Sequence, residues 1–133
     1  MTLVSIQDRV KKSAENHGRS VNDVILVAVS KVQPIERVKN VLIQGHRTFG
    51  ENRLQEAMDR WSAPELEFDE VDLHLIGPLQ TNKARQAVEI FGTIHSVDRP
   101  KLANILARLA QERGSSPELF IQVNTGEEPQ KAG

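Results

Sequence analysis

The stretch Val24-Ile-Leu-Val-Ala-Val-Ser-Lys31-Val-Gln-Pro34 decides how the chain is read. An unbroken apolar run from Val24 to Val29 predicts a strand buried on both faces, since a half-exposed strand would alternate with polar residues. The run ends on Ser30 and Lys31, and Pro34 then opens a helix. An ammonium group at the end of an apolar strand is costly unless it reaches water, finds a partner or has a chemical use.

Working outward, strands and helices alternate. Leu3, Ile6, Val10 and Ala14 predict an amphipathic helix ending near Gly18, ahead of the strand Val24–Val29. Ile35, Val38, Val41 and Leu42 form the stripe of the next helix, closed by Gly45. A short strand is expected around Arg47–Gly50, then a helix with Leu54, Ala57, Met58 and Trp61 on one face. The acidic, Pro64-containing segment Ser62–Asp72 reads as a solvated loop. Leu73–Ile76 is expected as a third strand, stopped by Gly77-Pro78. Thr81 or Asn82 is the expected cap of a helix carrying Ala84, Ala87, Val88 and Phe91. Thr93–Val97 is the fourth strand, and Pro100 starts a helix through Leu102, Ile105, Leu106 and Leu109 to Gly114. Leu119–Val123 is the fifth strand. Such alternation predicts βαβ units and a parallel sheet, as an open doubly wound sheet or part of a (β/α)8 barrel. A complete barrel needs about 250 residues; 133 residues and five strands supply part of one, expected as a single domain over 1–133.

Composition narrows the function. Seventeen basic and eighteen acidic residues leave a formal charge of −1, so nothing directs the chain to nucleic acid or anionic lipid. One tryptophan and four phenylalanines offer little surface for base stacking. The absence of cysteine excludes disulfide and thiolate chemistry and suits a reducing compartment. No run approaches the roughly 20 apolar residues of a membrane span, and the first residues lack the apolar core of a signal peptide. A cytoplasmic location is expected.

Three segments carry candidate chemistry. Ligands of parallel α/β folds gather at the carboxyl ends of strands. Lys31 stands at such an end, sharing a face with Val27 and Val29 if the alternation holds. An apolar wall there favours the neutral, nucleophilic amine; a lysine that reaches past the rim into water fits the same pattern. Thr48-Phe-Gly-Glu-Asn52 combines a glycine, which permits close backbone approach, with an amide that both donates and accepts; it also reads as an ordinary βα turn. In Leu73-His-Leu-Ile-Gly-Pro-Leu-Gln-Thr-Asn-Lys83, His74 faces away from Leu73 and Leu75, and a strand histidine of this kind is more often structural. Lys83, in a first helical turn, opposes the helix dipole, which an anion could offset. His17, His46 and His95 show no metal-ligand spacing, and no phosphate-binding loop, dinucleotide fingerprint or nucleophile elbow occurs.

Taken in order, "LVAVSK" with its following proline, "FGENRLQEA", "HLIGPLQTNK", "HSVDRPKLA" and "IQVNTGEEPQKAG" resemble the pyridoxal-phosphate homeostasis proteins over nearly the whole chain. Arg53 stands where an aromatic is common in that family, and Leu73 where tryptophan is common. The resemblance implies the barrel fold of the alanine racemase N-terminal domain, incomplete here at about five of eight strands. It implies pyridoxal 5′-phosphate as cofactor, held as a Schiff base on Lys31, with Asn52 near its ring and His74 a weaker transfer. It also implies a role in binding, buffering or delivering the cofactor without robust turnover. The family's phosphate-holding loop and arginine belong to further βα units, so the phosphate grip is expected to be impaired. Three further expectations stay open: a racemase-like enzyme using the same lysine, a fragment that binds no cofactor, and self-association through open sheet edges.

Overall fold

The structure, a computed structural model, describes residues 1–133. Five strands form one sheet: β1 (Ala28–Val29), β2 (Thr48–Glu51), β3 (Asp72–Leu75), β4 (Thr93–Val97) and β5 (Glu118–Ile121). Every neighbouring pair is parallel and the order is sequential, β1-β2-β3-β4-β5. A doubly wound sheet reverses its strand order at a switch point. This one never does, so its winding is that of a (β/α) barrel. Five helices connect or precede the strands: α1 (Leu3–Asn16), α2 (Ile35–Ile43), α3 (Leu54–Trp61), α4 (Ala84–Ile90) and α5 (Pro100–Arg113).

The helix ends follow local chemistry. Thr2 Oγ1 accepts the Ser5 amide while Ser5 Oγ accepts the Thr2 amide, a reciprocal cap for α1. Pro100 occupies the first turn of α5, and Gly114 ends that helix in the left-handed conformation at φ 72°. The expected cap at Thr81 or Asn82 is not formed. Thr81–Lys83 makes a 3-10 turn leading into α4, and no side chain caps either piece.

Alternation along the strands sorts the sheet into two faces. Phe49, Leu73, Leu75 and Ile94 point toward the helices and join Val38, Leu42, Ala57, Ala87, Val88, Leu102 and Leu106 in one buried cluster. Val29, Gly50, His74 and Thr93 share a register on the opposite face. Gly50 is needed here: a Cβ on it would come within 2.9 Å of Val27 Cγ1 and 3.2 Å of Ile76 Cδ1.

The two outer strands depart most from the sequence-based expectation. The apolar run Val24–Val29 pairs only at Ala28 and Val29, and Ile25 is 69% exposed. With β2 on one side only, pairing begins at Ala28 opposite Phe49, one residue inside the start of β2 at Thr48, and apolar character alone does not extend it. Strand β5 is exposed at all four residues, with Phe120 at 52% and Ile121 at 80%. In the middle of the sheet the strands lie within one residue of their expected positions.

Candidate functional site at the mouth of the first two strands

Lys31 and Asn52 stand two residues beyond Val29 and Gly50, which face each other in the β1–β2 register. Both are half-buried, and neither side chain makes a hydrogen bond or ion pair within the protein. The backbone around Asn52 is fixed from β3. Ile76 donates its amide to Glu51 O at 2.9 Å, and Gly77 passes so close that a Cβ there would lie 2.1 Å from the Asn52 carbonyl oxygen. Gly77 is therefore the residue that lets the third strand end abut the second.

The backbone at Lys31 is held on both sides. Ser30 is buried; its amide donates to Gly50 O at 3.0 Å, and its hydroxyl to Glu51 Oε1 at 2.7 Å. Lys31 and Val32 are the central residues of a β-turn closed by the Gln33 amide on Ser30 O at 3.1 Å. Val32 adopts φ 59°, the left-handed region a β-branched residue rarely enters. Its amide donates to Glu56 Oε1 at 2.6 Å, and Arg60 Nη2 donates to Gln33 O at 3.3 Å. Both partners lie on α3.

Beneath this turn is a buried polar cluster. The Glu51 carboxylate is wholly buried and accepts from Ser30 Oγ, from Trp61 Nε1 at 3.2 Å and from Arg60 Nη1 at 3.4 Å. Arg60 also pairs with Glu56 at 3.2 Å, so one guanidinium bridges two carboxylates. The Val32 amide holds the Glu56 carboxyl below the usual carboxylate range; partial burial opposes this, and the Arg60 guanidinium reinforces it.

His74 lies deeper, level with Gly50 instead of Asn52. Its Nε2 meets Asp72 Oδ2 at 3.1 Å and its Nδ1 meets His95 Nε2 at 2.9 Å, while the His95 ring stacks on Phe120 at 5.1 Å. One arrangement of hydrogens satisfies the chain: His95 Nε2–H donates to His74 Nδ1, and His74 Nε2–H donates to Asp72 Oδ2. Burial lowers the His95 pKa first, and the neighbouring His74 adds to the effect.

The structure thus brings Lys31 and Asn52 to adjacent strand ends and places His74 below them, engaged with protein partners. Ser30, Val32, Glu51, Glu56 and Arg60 were not singled out from the sequence. The available signal was the i,i+4 pair Glu56–Arg60, starting in the first turn of the helix after Gly50-Glu51-Asn52. No group of three or more histidine or carboxylate side chains is arranged to hold a metal ion.

A sequential parallel sheet with an unpaired lysine at the mouth of its first strand belongs to the TIM-barrel-like α/β class, here with five strands. Within that class the chain is related, over nearly all its length, to the pyridoxal phosphate homeostasis proteins. It is 36% identical to the protein of that name from Escherichia coli K12 and 39% identical to that from Pseudomonas aeruginosa, covering 98% of this chain and 56% of each relative. The chain therefore spans a little over half the length of the curated relatives it matches. It superposes on PipY of Synechococcus elongatus PCC7942 without pyridoxal phosphate with a TM-score of 0.78 and 42% identity, over 93% of this chain and 57% of PipY. Against PipY with pyridoxal phosphate bound, the TM-score is 0.76 and the identity 40%, over 92% and 57%. No protein-family model matches the chain.

Proposed function

We propose that this chain binds pyridoxal 5′-phosphate through Lys31 and serves intracellular cofactor homeostasis, as its relatives' name describes. One observation carries the reading: Lys31, free of any carboxylate, stands at the carboxyl end of β1 beside Asn52 in a fold 40% identical to a structure with that cofactor bound. Pyridoxal phosphate supplies, when bound, an aldehyde with which an amine condenses as water leaves. The donor set fits that end of the molecule. Lys31 provides the amine, and Asn52 provides an amide with both donor and acceptor capacity uncommitted. His74, held by its bonds to His95 and Asp72, would line the site below Lys31 and Asn52.

The experiment is spectroscopic and chemical. Purified chain is mixed with pyridoxal phosphate, desalted, treated with borohydride and mapped by peptide mass, beside a Lys31→Ala control. The expected result is a visible band retained by the parent and the cofactor mass on the Lys31 peptide. A folded parent that retains nothing, or retention unchanged in Lys31→Ala, overturns the reading.

We further propose that residues 1–133 form one unit that self-associates through its sheet edges and works in the cytoplasm. Support for association comes from β5, exposed on both faces, and from Val123 at 68% exposure just beyond it. The lack of cysteine supports the location, and no helix is long and apolar enough to cross a membrane. Light scattering after gel filtration reads the mass directly; a monomer at high concentration removes the association proposal.

A further inference from the structure

The turn that follows β1 is strained at Val32. A turn with positive φ at its third position favours glycine, because a Cβ, and a branched one above all, is crowded there. This turn has Val32 at that position, with its side chain 79% exposed, so no packing of the isopropyl group holds it. What holds it is α3: the Glu56 carboxylate on the Val32 amide and Arg60 on the Gln33 carbonyl. The residue aimed by this turn is Lys31, its second member.

We infer that Glu56, aided by Arg60, is a positioning residue for Lys31, holding Val32 in its left-handed conformation so that the lysine amine is presented at the strand mouth. The inference rests on the cofactor reading above for its role, though the restraint on Lys31 exists whether or not cofactor binds. Removing the carboxylate frees Val32 to return to negative φ. The turn then reopens and the direction of the Lys31 side chain changes. Arg60 cannot substitute, because its contact is to Gln33, one residue further on. Glycine at position 32 takes positive φ without steric cost, so the turn should depend on Glu56 much less.

The test compares Glu56→Ala, Val32→Gly and the double variant by two readouts. One is retention of pyridoxal phosphate; the other, made without cofactor, is the acetylation rate of Lys31 under limiting acetic anhydride, normalised to Lys101 on α5. Glu56→Ala should weaken retention roughly tenfold and change the Lys31 rate severalfold, with unchanged circular dichroism, the size expected for losing one charge-assisted hydrogen bond. In the Val32→Gly background the same substitution should cost no more than about twofold, since the strain is gone. Equal losses in both backgrounds, or none in either, overturn the inference. If Glu56→Ala does not fold, Glu56→Gln keeps an acceptor for the Val32 amide and should stay within about threefold of the parent. If the parent binds no cofactor, the functional reading fails, and the acetylation rates alone decide the positioning role.

Discussion

His74 Nδ1 and His95 Nε2 lie 2.9 Å apart on the sheet face opposite the helices, one ring tied to Asp72 and the other stacked on Phe120. Burial, and after it the neighbouring His74, lowers the His95 pKa below the ordinary histidine value.

The His95 pKa is lower folded than unfolded, so over the interval between the two values the unfolded chain binds more protons. Stability is therefore complete above the ordinary histidine range and falls as pH drops toward the depressed folded value. Urea denaturation at pH 7.5 and 5.5 should show a lower midpoint at the acid end, and His95→Gln should flatten the difference.

Glu56 titrates in a separate, more acid window. Its carboxyl is held low by the Val32 amide, so its contribution is fully present above the ordinary carboxylate range and is lost as pH falls through the folded value. Amide exchange at Val32, taken relative to the intrinsic rate at each pH, should show an excess that grows as pH falls from 5 to 3. Glu56→Gln should remove that excess.

Glu51 is the buried hub whose loss should hurt most. Glu51→Leu leaves Arg60, only 10% exposed, without one of its two carboxylates and deprives Ser30 and Trp61 of an acceptor. A loss of about 3 kcal/mol is expected by chemical denaturation. Trp61→Phe, which removes a single donor, should cost about 1 kcal/mol.

Gly77→Ala tests the contact between the second and third strand ends. Its Cβ would lie 2.1 Å from a backbone oxygen of Asn52, which no rotamer change relieves. A destabilisation of about 2 kcal/mol is expected, with weaker cofactor retention if Asn52 contributes to the site. Alanine at Gly18, where no atom lies within 4 Å, should cost only the price of its positive φ, about 1 kcal/mol.

Much of the fold was legible along the chain. Apolar periodicity located all five strands and five helices, because the stripes Val38–Leu42 and Leu102–Leu106–Leu109 answer to helix geometry and the apolar runs to a covered sheet. Lys31 and Asn52 stood out by their places at predicted strand ends, the resemblance gave them an expected role, and the structure places them on neighbouring strand ends. Strand pairing was less legible. Val24–Val27 is as apolar as any strand in the chain, yet pairing depends on how the neighbouring strand is placed, which no local pattern encodes.

The sequence by itself determined the alternation of elements, the buried stripes and the lysine that ends the first apolar run, since each depends on residue type and short-range spacing. Only the tertiary structure decided that the strands run in sequential order, that His74 is paired with His95, and that Glu56 reaches the amide of Val32. These are relations between residues 19 or more positions apart. Their physical basis is the packing of α3 and β4 against their neighbours, which brings together groups whose local patterns carry no information about one another.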